Sequence, residues 1–266
     1  MNNRIIKNNC SLIVSSCDNY KDLWKPYFYL KNKFWGDCPF QTILISETEQ
    51  MKLPGVRIFN TGKDLSWSQM LKATIIESSS EYVLLSMEDF FFQSKVNTEV
   101  ILSLYDYVKL KKINMLRLIP RPGPDIKLDI DNIGEISPKA DYRVSGQAAF
   151  WKSKTLINLL EDRESLWQFE INATKRSLSY EKFYCVYKPV LTYKHHVVER
   201  GKWFIWSALK FKFMGLPLDF KSRKIMSVYE TFAWLLHKYI SPYLIYLNPE
   251  IKSKLKPFLK KTKIIP

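Results

Sequence analysis

The stretch EYVLLSMEDFFF, residues 81–92, decides the fold. Residues 81–86 are the strongest buried-strand signal in the chain, because an unbroken apolar run of this length is typical of a strand covered on both faces. Two carboxylates, Glu88 and Asp89, follow directly. In open α/β sheets, ligands bind outside the carboxyl ends of the strands. The stretch therefore predicts a central strand that ends at a ligand-binding edge.

Strands and helices alternate around this stretch. Short apolar runs predict strands, and apolar residues three and four apart predict helices. The predicted strands cover residues 11–16, 41–46, 56–59 and 114–119, and the predicted helices cover residues 20–35, a segment opened by Ser66, and residues 97–112. This alternation is typical of an α/β sandwich with a mainly parallel central sheet.

The second half of this body is less regular. Residues 120–140 are expected to be irregular, and RPGPD at residues 121–125 excludes regular structure there. Residues 142–151 (YRVSGQAAFW) predict two short strands joined by a turn at Ser145 and Gly146. Helices are expected over residues 153–160 and 164–176, and a broken strand over 183–193. No nucleophile elbow, Walker sequence or GxGxxG fingerprint is present.

Composition narrows the class of protein. Of 266 residues, 46% are hydrophobic and 15% are aromatic, which excludes wholesale disorder. The net charge is 41 − 26 = +15. A basic, aromatic-rich chain indicates an anionic partner: nucleic acid, a phosphorylated small molecule or an anionic membrane surface.

The charge is concentrated near the carboxyl terminus. Residues 200–266 carry 14 − 3 = +11, whereas residues 1–199 carry 27 − 23 = +4. This change predicts a nearly balanced domain over residues 1–200 and a basic, aromatic, helical extension over residues 201–266. The four cysteines lack zinc-site spacing, and we expect buried thiols in a reducing cytoplasm.

The acidic pair suggests a cation site. Adjacent carboxylates repel, so a site that holds both is stabilised by a cation. Mg²⁺ bound by one or two carboxylates usually completes its shell with phosphates and water. The alternative is a solvated acidic turn, which the three phenylalanines at residues 90–92 make less favourable.

Three segments carry a resemblance to a known family: SSCDNYKDLWKPYFYLKNKFW (15–35), WSQMLKA (67–73) and EYVLLSMEDFFF. Together they resemble nucleotide-sugar glycosyltransferases of the GT-A type, and in particular small bacterial transferases of surface-polysaccharide clusters (capsule, O-antigen, lipopolysaccharide). The resemblance covers roughly residues 10–200 and implies a GT-A-like, Rossmann-like sandwich. The family's acidic motif is Asp-x-Asp, but position 87 is Met here. Asp89 is therefore the first choice, and Glu88 the second, to hold Mg²⁺ or Mn²⁺.

The resemblance also implies a donor site. Ser15, Ser16 and Asp18 would face the nucleotide, and Lys72, on the helix that crosses above it, would reach a phosphate. Trp67, at the start of that helix, is equally consistent with a core residue. In SGQAAFW (145–151), Gln147 would lie under the donor sugar. The aromatic rings of Phe150 and Trp151 would meet the acceptor, and Arg143 would contact a phosphate, unless this segment is simply a packed hairpin.

An acid among aromatics in WQFE (167–170) is the candidate general base. In inverting members of the family, a carboxylate from the second half deprotonates the acceptor hydroxyl. Glu170 fits that role and Trp167 would contact the acceptor, although an ordinary helix-surface Glu remains the alternative. Glu161, Asp162 and Glu164 are nearby competitors.

Two of the three histidines occur in KHH at residues 194–196. Neutral His can ligate a metal, and His, Arg and Lys can hold a diphosphate. Because alternation aims neighbouring side chains of a strand at opposite faces, one of the two would take part. We favour His196, with Arg200 and Lys202 as phosphate contacts, over a pair of surface histidines.

The basic extension predicts contact with a membrane surface. Aromatics alternate with lysines over residues 202–214, an apolar stretch covers 225–247, and six lysines lie within 252–263. Such elements lie in the plane of an anionic bilayer. We therefore expect a cytoplasmic enzyme, peripheral on the inner face of the cytoplasmic membrane, with a lipid-linked glycan acceptor. A helical cap packed on the body is the alternative.

Two other functions remain open. A nucleic-acid-binding protein would explain the charge, but no RRM, KH or helix-turn-helix signature is present, so no specific nucleic acid is expected. The other is a nonenzymatic scaffold at the membrane surface, built on a degenerate transferase fold.

Overall fold

The computed structural model describes residues 9–244. They belong to two compact units, the first ending at His195 and the second beginning at His196. The boundary that the charge predicts, between residues 200 and 201, lies just after this division.

The elements of the first unit are β1 (Cys10–Ser15), α1 (Lys21–Phe34), β2 (Gln41–Ser46), β3 (Val56–Asn60), α2 (Trp67–Ser78), β4 (Tyr82–Met87), β5 (Phe91–Phe92), α3 (Thr98–Leu110), β6 (Met115–Arg117), β7 (Ile126–Lys127), β8 (Ile133–Glu135), β9 (Ala149–Lys152), α4 (Ser153–Leu159), α5 (Leu166–Arg176), β10 (Phe183–Val186) and β11 (Tyr193–Lys194). The second unit contains β12 (Val198–Glu199), β13 (Lys202–Trp203), α6 (Ile205–Phe213) and α7 (Val228–Leu244).

Nine strands of the described part form one sheet, in the order β3-β2-β1-β4-β9-β6-β10-β8-β7. The pairings of β1 with β2, β2 with β3 and β1 with β4 are parallel. Only β8 and β9 run against the other strands of this sheet. The predicted α/β class with a mainly parallel sheet is therefore confirmed, with β9 inserted antiparallel between β4 and β6.

The sheet has a packed layer on each face. Every residue of β4 is buried, as its unbroken apolar run predicts. On one face, Val83 and Leu85 belong to the core cluster that Leu71, Leu156 and residues of α5 complete. On the other, the Phe150 ring lies 5.9 Å from that of Phe40 and 5.6 Å from that of Tyr105.

The order of the strands creates a switch point. The chain proceeds from β1 to β2 and β3 on one side, and then places β4 on the other side of β1. The carboxyl ends of β1 and β4 therefore meet where ligands bind in open α/β sheets. Ser15 lies opposite Met87, and the Glu88 N–H donates to the Ser15 carbonyl at 3.3 Å, so the pairing continues to the acidic pair.

The hairpin predicted over residues 142–151 is wrong, because only β9 forms there. The preceding segment is held by side-chain bonds instead of a strand ladder. The buried Arg143 guanidinium donates to the carbonyls of Ile136, Ser177 and Tyr180. Because Ala149 pairs antiparallel with Leu85, residues 145–148 lead into the sheet at the carboxyl end of β4.

The second unit combines a tight hairpin with two helices. Arg200 and Gly201 join β12 to β13 with φ of 49° and 73°, as a two-residue hairpin turn requires. In the described part of the chain, no helix has the length and apolar character needed to cross a bilayer. The six lysines of residues 252–263 lie outside the described residues.

Candidate functional site

Two buried serines form the floor of the switch point. Ser15 and Ser16 are 2% and 8% exposed. The Trp67 indole N–H donates to Ser15 Oγ at 2.9 Å, and the Trp24 indole N–H donates to Ser16 Oγ at 2.7 Å. A hydroxyl that accepts one bond still has a proton to donate. The Trp67 ring also packs 5.2 Å from the Phe169 ring, so this residue joins α2 to α5 next to the edge.

Asp18 is bonded to the loop that follows β2. Its carboxylate accepts from Ser46 Oγ at 2.7 Å and from the Thr48 hydroxyl at 2.8 Å. The Glu47 and Thr48 N–H groups add bonds of 2.9 and 3.0 Å. Desolvation raises the pKa of the Asp18 carboxyl, but the bonds from Ser46, Thr48 and Glu47 outweigh it and lower the pKa to about 2. Asp18 therefore holds the loop after β2, and its contact with a nucleotide stays a prediction.

The acidic pair lies at the end of the central strand. Glu88 is 8% exposed and Asp89 is partly exposed. The chain then continues into β5, which pairs antiparallel with β11, so that Phe91 faces Lys194. Phe90 packs against Tyr193, with ring centroids 5.3 Å apart. This small sheet fixes the backbone on the carboxyl side of Asp89.

The same small sheet brings His195 to the residue that follows the acidic pair. The His195 ring lies 5.9 Å from the Phe90 ring, one residue from Asp89. His196 belongs to the second unit, where Glu199 contacts its Nδ1 and Lys238 its Nε2. Sequence alternation separates the two side chains but does not indicate which one approaches residue 89. The pairing of β5 with β11 places His195 beside Phe90, and the choice of His196 as a diphosphate contact stays a prediction.

Glu170 lies against the segment that leads into β9. Its Oε1 accepts from the Gly146 N–H at 2.6 Å. Burial raises the pKa of the Glu170 carboxyl above its ordinary value, although the Gly146 N–H and the Arg117 guanidinium act in the opposite direction. Its competitor Glu164 is 8% exposed and bonded to Arg176 at 2.6 Å. Glu161 and Asp162 are solvent-exposed.

Two polar groups beside Glu170 are unsatisfied. Ser145 Oγ and Gln147 Oε1 are buried and have no hydrogen-bond partner in the described part of the chain. Buried polar atoms without partners are rare in proteins and often mark a place where water or a ligand binds. Gln147 lies near the carboxyl end of β4, and its place under a donor sugar stays a prediction.

Arg117 is a residue that sequence reasoning missed. Its guanidinium is fully buried and donates to the carbonyls of Pro122, Tyr142 and Arg143 at 2.7, 2.7 and 2.8 Å. Burial lowers the pKa of Arg117 to about 10, so it stays charged at neutral pH. The signal was present as a single Arg in the apolar run MLRLI, residues 115–119. Arg117 anchors the loop that precedes Ser145.

The predicted acceptor platform is partly wrong. Phe150 and Trp151 are 0% and 1% exposed, because both lie on the central strand β9 and face the two packed layers. Arg143 is also fully buried, and its guanidinium is bonded to backbone carbonyls. Trp167, by contrast, is 66% exposed on the first turn of α5.

The remaining predicted cations have carboxylate partners or lie in the other unit. Lys72 on α2 is 4.0 Å from Asp162. Arg200 and Lys202 belong to the hairpin of the second unit, where Lys202 pairs with Glu230. Their role as phosphate contacts stays a prediction.

A divalent cation at this edge would need metal ligands from a bound phosphate compound and from water, besides those of the protein. Within residues 9–244, no group of three or more His, Cys, Asp and Glu side chains is arranged to hold a metal ion. Glu88 and Asp89 supply carboxylate oxygens from adjacent positions, which suits Mg²⁺ or Mn²⁺ that takes its other ligands from phosphates and water.

No protein-family model and no curated protein matches the chain. Among solved structures, it is similar to a cytidylyltransferase from Leptospira borgpetersenii serovar Hardjo-bovis (8% identity, TM-score 0.38, 57% of this chain and 63% of that one). The bifunctional IspDF from Campylobacter jejuni matches with 15% identity and a TM-score of 0.36, over 64% of this chain and 46% of that one. Residues 1–349 of S. aureus TarS match with 10% identity and a TM-score of 0.48, over 97% and 81%. The chain spans less than two thirds of the length of the first two structures.

Proposed function

We propose that this chain is a glycosyltransferase that moves a sugar from a nucleotide-sugar donor to a hydroxyl group of a glycan. The placement of Glu170 carries the proposal. A carboxylate of raised pKa, bonded to Gly146, lies at the same end of the sheet as Glu88 and Asp89. A proton acceptor and an acidic pair on one ligand-binding edge fit a reaction in which a hydroxyl loses its proton while a diphosphate leaves.

The nucleotide would bind at the switch point. The Ser15 hydroxyl accepts an indole N–H and keeps a proton to donate to the ligand. The Ser16 hydroxyl accepts the Trp24 indole N–H and donates to the Cys17 carbonyl at 3.4 Å, a bond that it would exchange for one to the ligand. Asp89, with Glu88, would hold Mg²⁺ or Mn²⁺ together with the diphosphate. A bound divalent cation would supply charge neutralisation for the leaving diphosphate. His195 packs next to Phe90, the residue that follows Asp89.

The sugar would lie against residues 145–147. Ser145 Oγ and Gln147 Oε1 are buried without partners, and sugar hydroxyls supply both donors and acceptors for them. Trp167, exposed on α5, would contact the acceptor, since aromatic rings stack on the C–H faces of sugars. We take the acceptor to be a surface glycan that stays partly exposed to solvent when bound, because Trp167 is solvent-facing.

Glu170 would act as the base. The acceptor oxygen attacks the anomeric carbon, the bond from that carbon to the diphosphate oxygen breaks, and the nucleoside diphosphate leaves with the electron pair. Glu170 takes the proton of the attacking hydroxyl. The Gly146 N–H holds Oε1 in place, and burial makes the carboxylate a stronger base. A single displacement inverts the anomeric configuration.

The test is nucleotide release by the full chain from a panel of UDP-, GDP-, CMP- and TDP-sugars with Mn²⁺. We expect Glu170→Gln to lower kcat by about 10²- to 10⁴-fold, the usual contribution of a general base. Asp89→Asn is expected to weaken donor binding, measured by calorimetry. The melting temperature of each variant shows whether the fold is intact.

Glu161→Gln is the matched control, because Glu161 is a solvent-exposed carboxylate near the amino end of α5. It should retain wild-type activity. A panel in which no nucleotide sugar binds or reacts would reject the proposal, and full activity in Glu170→Gln would reject the assignment of the base.

A further inference from the structure

Helix α6 carries an apolar stripe on its solvent side. Trp206, Leu209 and Phe213 are 61%, 38% and 88% exposed. Residues three and four apart lie on the same face of a helix, so the three side chains form one continuous row. The buried residues of α6 are Ser207, Ala208 and Phe211. The stripe therefore points away from the face by which α6 packs on its own unit.

Lysines border the stripe on both sides. At about 100° per residue, Lys210 lies about 40° beyond Trp206, and Lys212 lies about 60° beyond Leu209 in the other direction. Both lysines are exposed. Residues 205–218 contain no Asp or Glu, and residues 196–244 carry eight Lys/Arg and three Asp/Glu, a net of 8 − 3 = +5.

This pattern selects one kind of partner. An aromatic and aliphatic row bordered by lysines matches the boundary between lipid headgroups and acyl chains, where the row enters the apolar layer and the ammonium groups reach anionic phosphates. Helix α7 also exposes apolar residues, Val228 and Phe232, but Glu230 lies in its first turn. Charge complementarity therefore points to α6.

We propose that α6 lies in the plane of an anionic lipid bilayer, with Trp206, Leu209 and Phe213 inserted and Lys210 and Lys212 at the headgroups. This goes beyond the proposed transfer reaction and does not depend on it. It also narrows the sequence prediction, which drew on the aromatics of the whole extension. Trp203 and Phe211 are fully buried and take no part.

The test is co-sedimentation of the full chain with phosphatidylcholine vesicles and with vesicles of phosphatidylcholine mixed with phosphatidylglycerol. The wild type should bind the mixed vesicles. The double variant Trp206→Ser, Phe213→Ser should lose that binding. The double variant Lys210→Gln, Lys212→Gln should weaken it by about 30-fold, since each cation near an anionic surface changes affinity about fivefold.

Leu110→Ser is the matched control, because Leu110 is 76% exposed on α3 of the first unit. It should bind like the wild type. Equal binding to both vesicle types, or equal loss in the Leu110 variant, would overturn the proposal in favour of general hydrophobic adsorption. Unchanged vesicle binding in the serine variant would overturn it too. If the serine variant then had a lower melting temperature than the wild type, another segment of the same chain would cover the stripe. If light scattering showed that the substitutions convert a dimer to a monomer, a second copy of the chain would cover it.

Discussion

At the scale of single residues, surroundings assign opposite roles to two carboxylates of the same unit. Desolvation acts on both Asp18 and Glu170. Asp18 accepts enough hydrogen bonds to reverse the effect, and its pKa falls to about 2. Glu170 accepts one bond from Gly146, and its pKa rises. A carboxylate that is difficult to protonate stabilises a loop, whereas one that binds a proton readily suits general-base work.

Asp18→Asn should lower stability by about 1–3 kcal/mol, because bonds to a charged group are lost. The folded pKa of Asp18 is below its unfolded value of about 4, so its contribution is fully present above that pH. It is lost as the pH falls towards 2. Urea unfolding at neutral pH and at acid pH should therefore show a gap between wild type and variant that closes in acid.

Asp106→Asn serves as the control, because Asp106 is an exposed residue of a surface pair with Lys109. Such pairs contribute about 0–1 kcal/mol. If Asp18→Asn is no more destabilising than this control, Asp18 does not hold the loop.

At the scale of elements, α5 and the segment before β9 form the second half of the candidate site. A Cβ on Gly146 would meet the two methyl groups of Leu166 at 3.0 and 3.3 Å and Glu170 Oε1 at 3.4 Å. The first turns of α5 thus approach the Gly146 backbone so closely that an added methyl group would be in tight contact with them. Arg117 holds the other side of this segment through the carbonyls of Tyr142 and Arg143.

Gly146→Ala should displace Glu170 while leaving the sheet intact. We expect kcat to fall by about 10- to 100-fold, because small displacements of a catalytic group are costly. The KM for the donor should change little, since Ser15, Ser16 and the acidic pair lie on other elements. Steady-state kinetics and the melting temperature measure both effects.

Gly123→Ala offers a comparison, because its added Cβ would meet only Pro120 Cβ at 3.6 Å, an ordinary contact. It should behave like the wild type. A normal kcat in Gly146→Ala would indicate that α5 can move without affecting the reaction. The assignment of Glu170 as the positioned base would then be rejected.

At the scale of the whole molecule, the net charge of +15 produces a long-range field that attracts any polyanion. Field effects of this kind are screened by salt, whereas contacts inside a partly buried site are screened less. The charge therefore does not by itself identify a nucleic-acid-binding protein.

We expect random-sequence RNA to bind the full chain weakly at low salt and to dissociate as salt rises, because binding that depends on phosphate contacts falls steeply with salt concentration. Binding of the preferred nucleotide sugar should persist. Fluorescence anisotropy measures the affinity for RNA at each salt concentration, and calorimetry measures the affinity for the nucleotide sugar. Salt-resistant binding of one RNA sequence over others would instead favour a nucleic-acid function.

The sequence by itself determined the class of fold and the strand end at which the acidic pair lies. The apolar run of residues 82–87 requires burial on both faces, and Glu88 and Asp89 follow it, so local pattern is enough to place the acids at a strand end. Local pattern was also enough to place Glu170 on a helix among aromatic residues.

Only the tertiary structure decided which of the predicted side chains can contact a ligand. Phe150 and Trp151 look like a platform in sequence, yet β9 pairs with both β4 and β6 and buries them. His195 packs beside Phe90, next to Asp89 in the chain, because β5 pairs with β11 across about a hundred residues of chain. Periodicity reports the local conformation of the backbone, whereas strand order and register arise from contacts between distant segments, and these decide what each side chain touches.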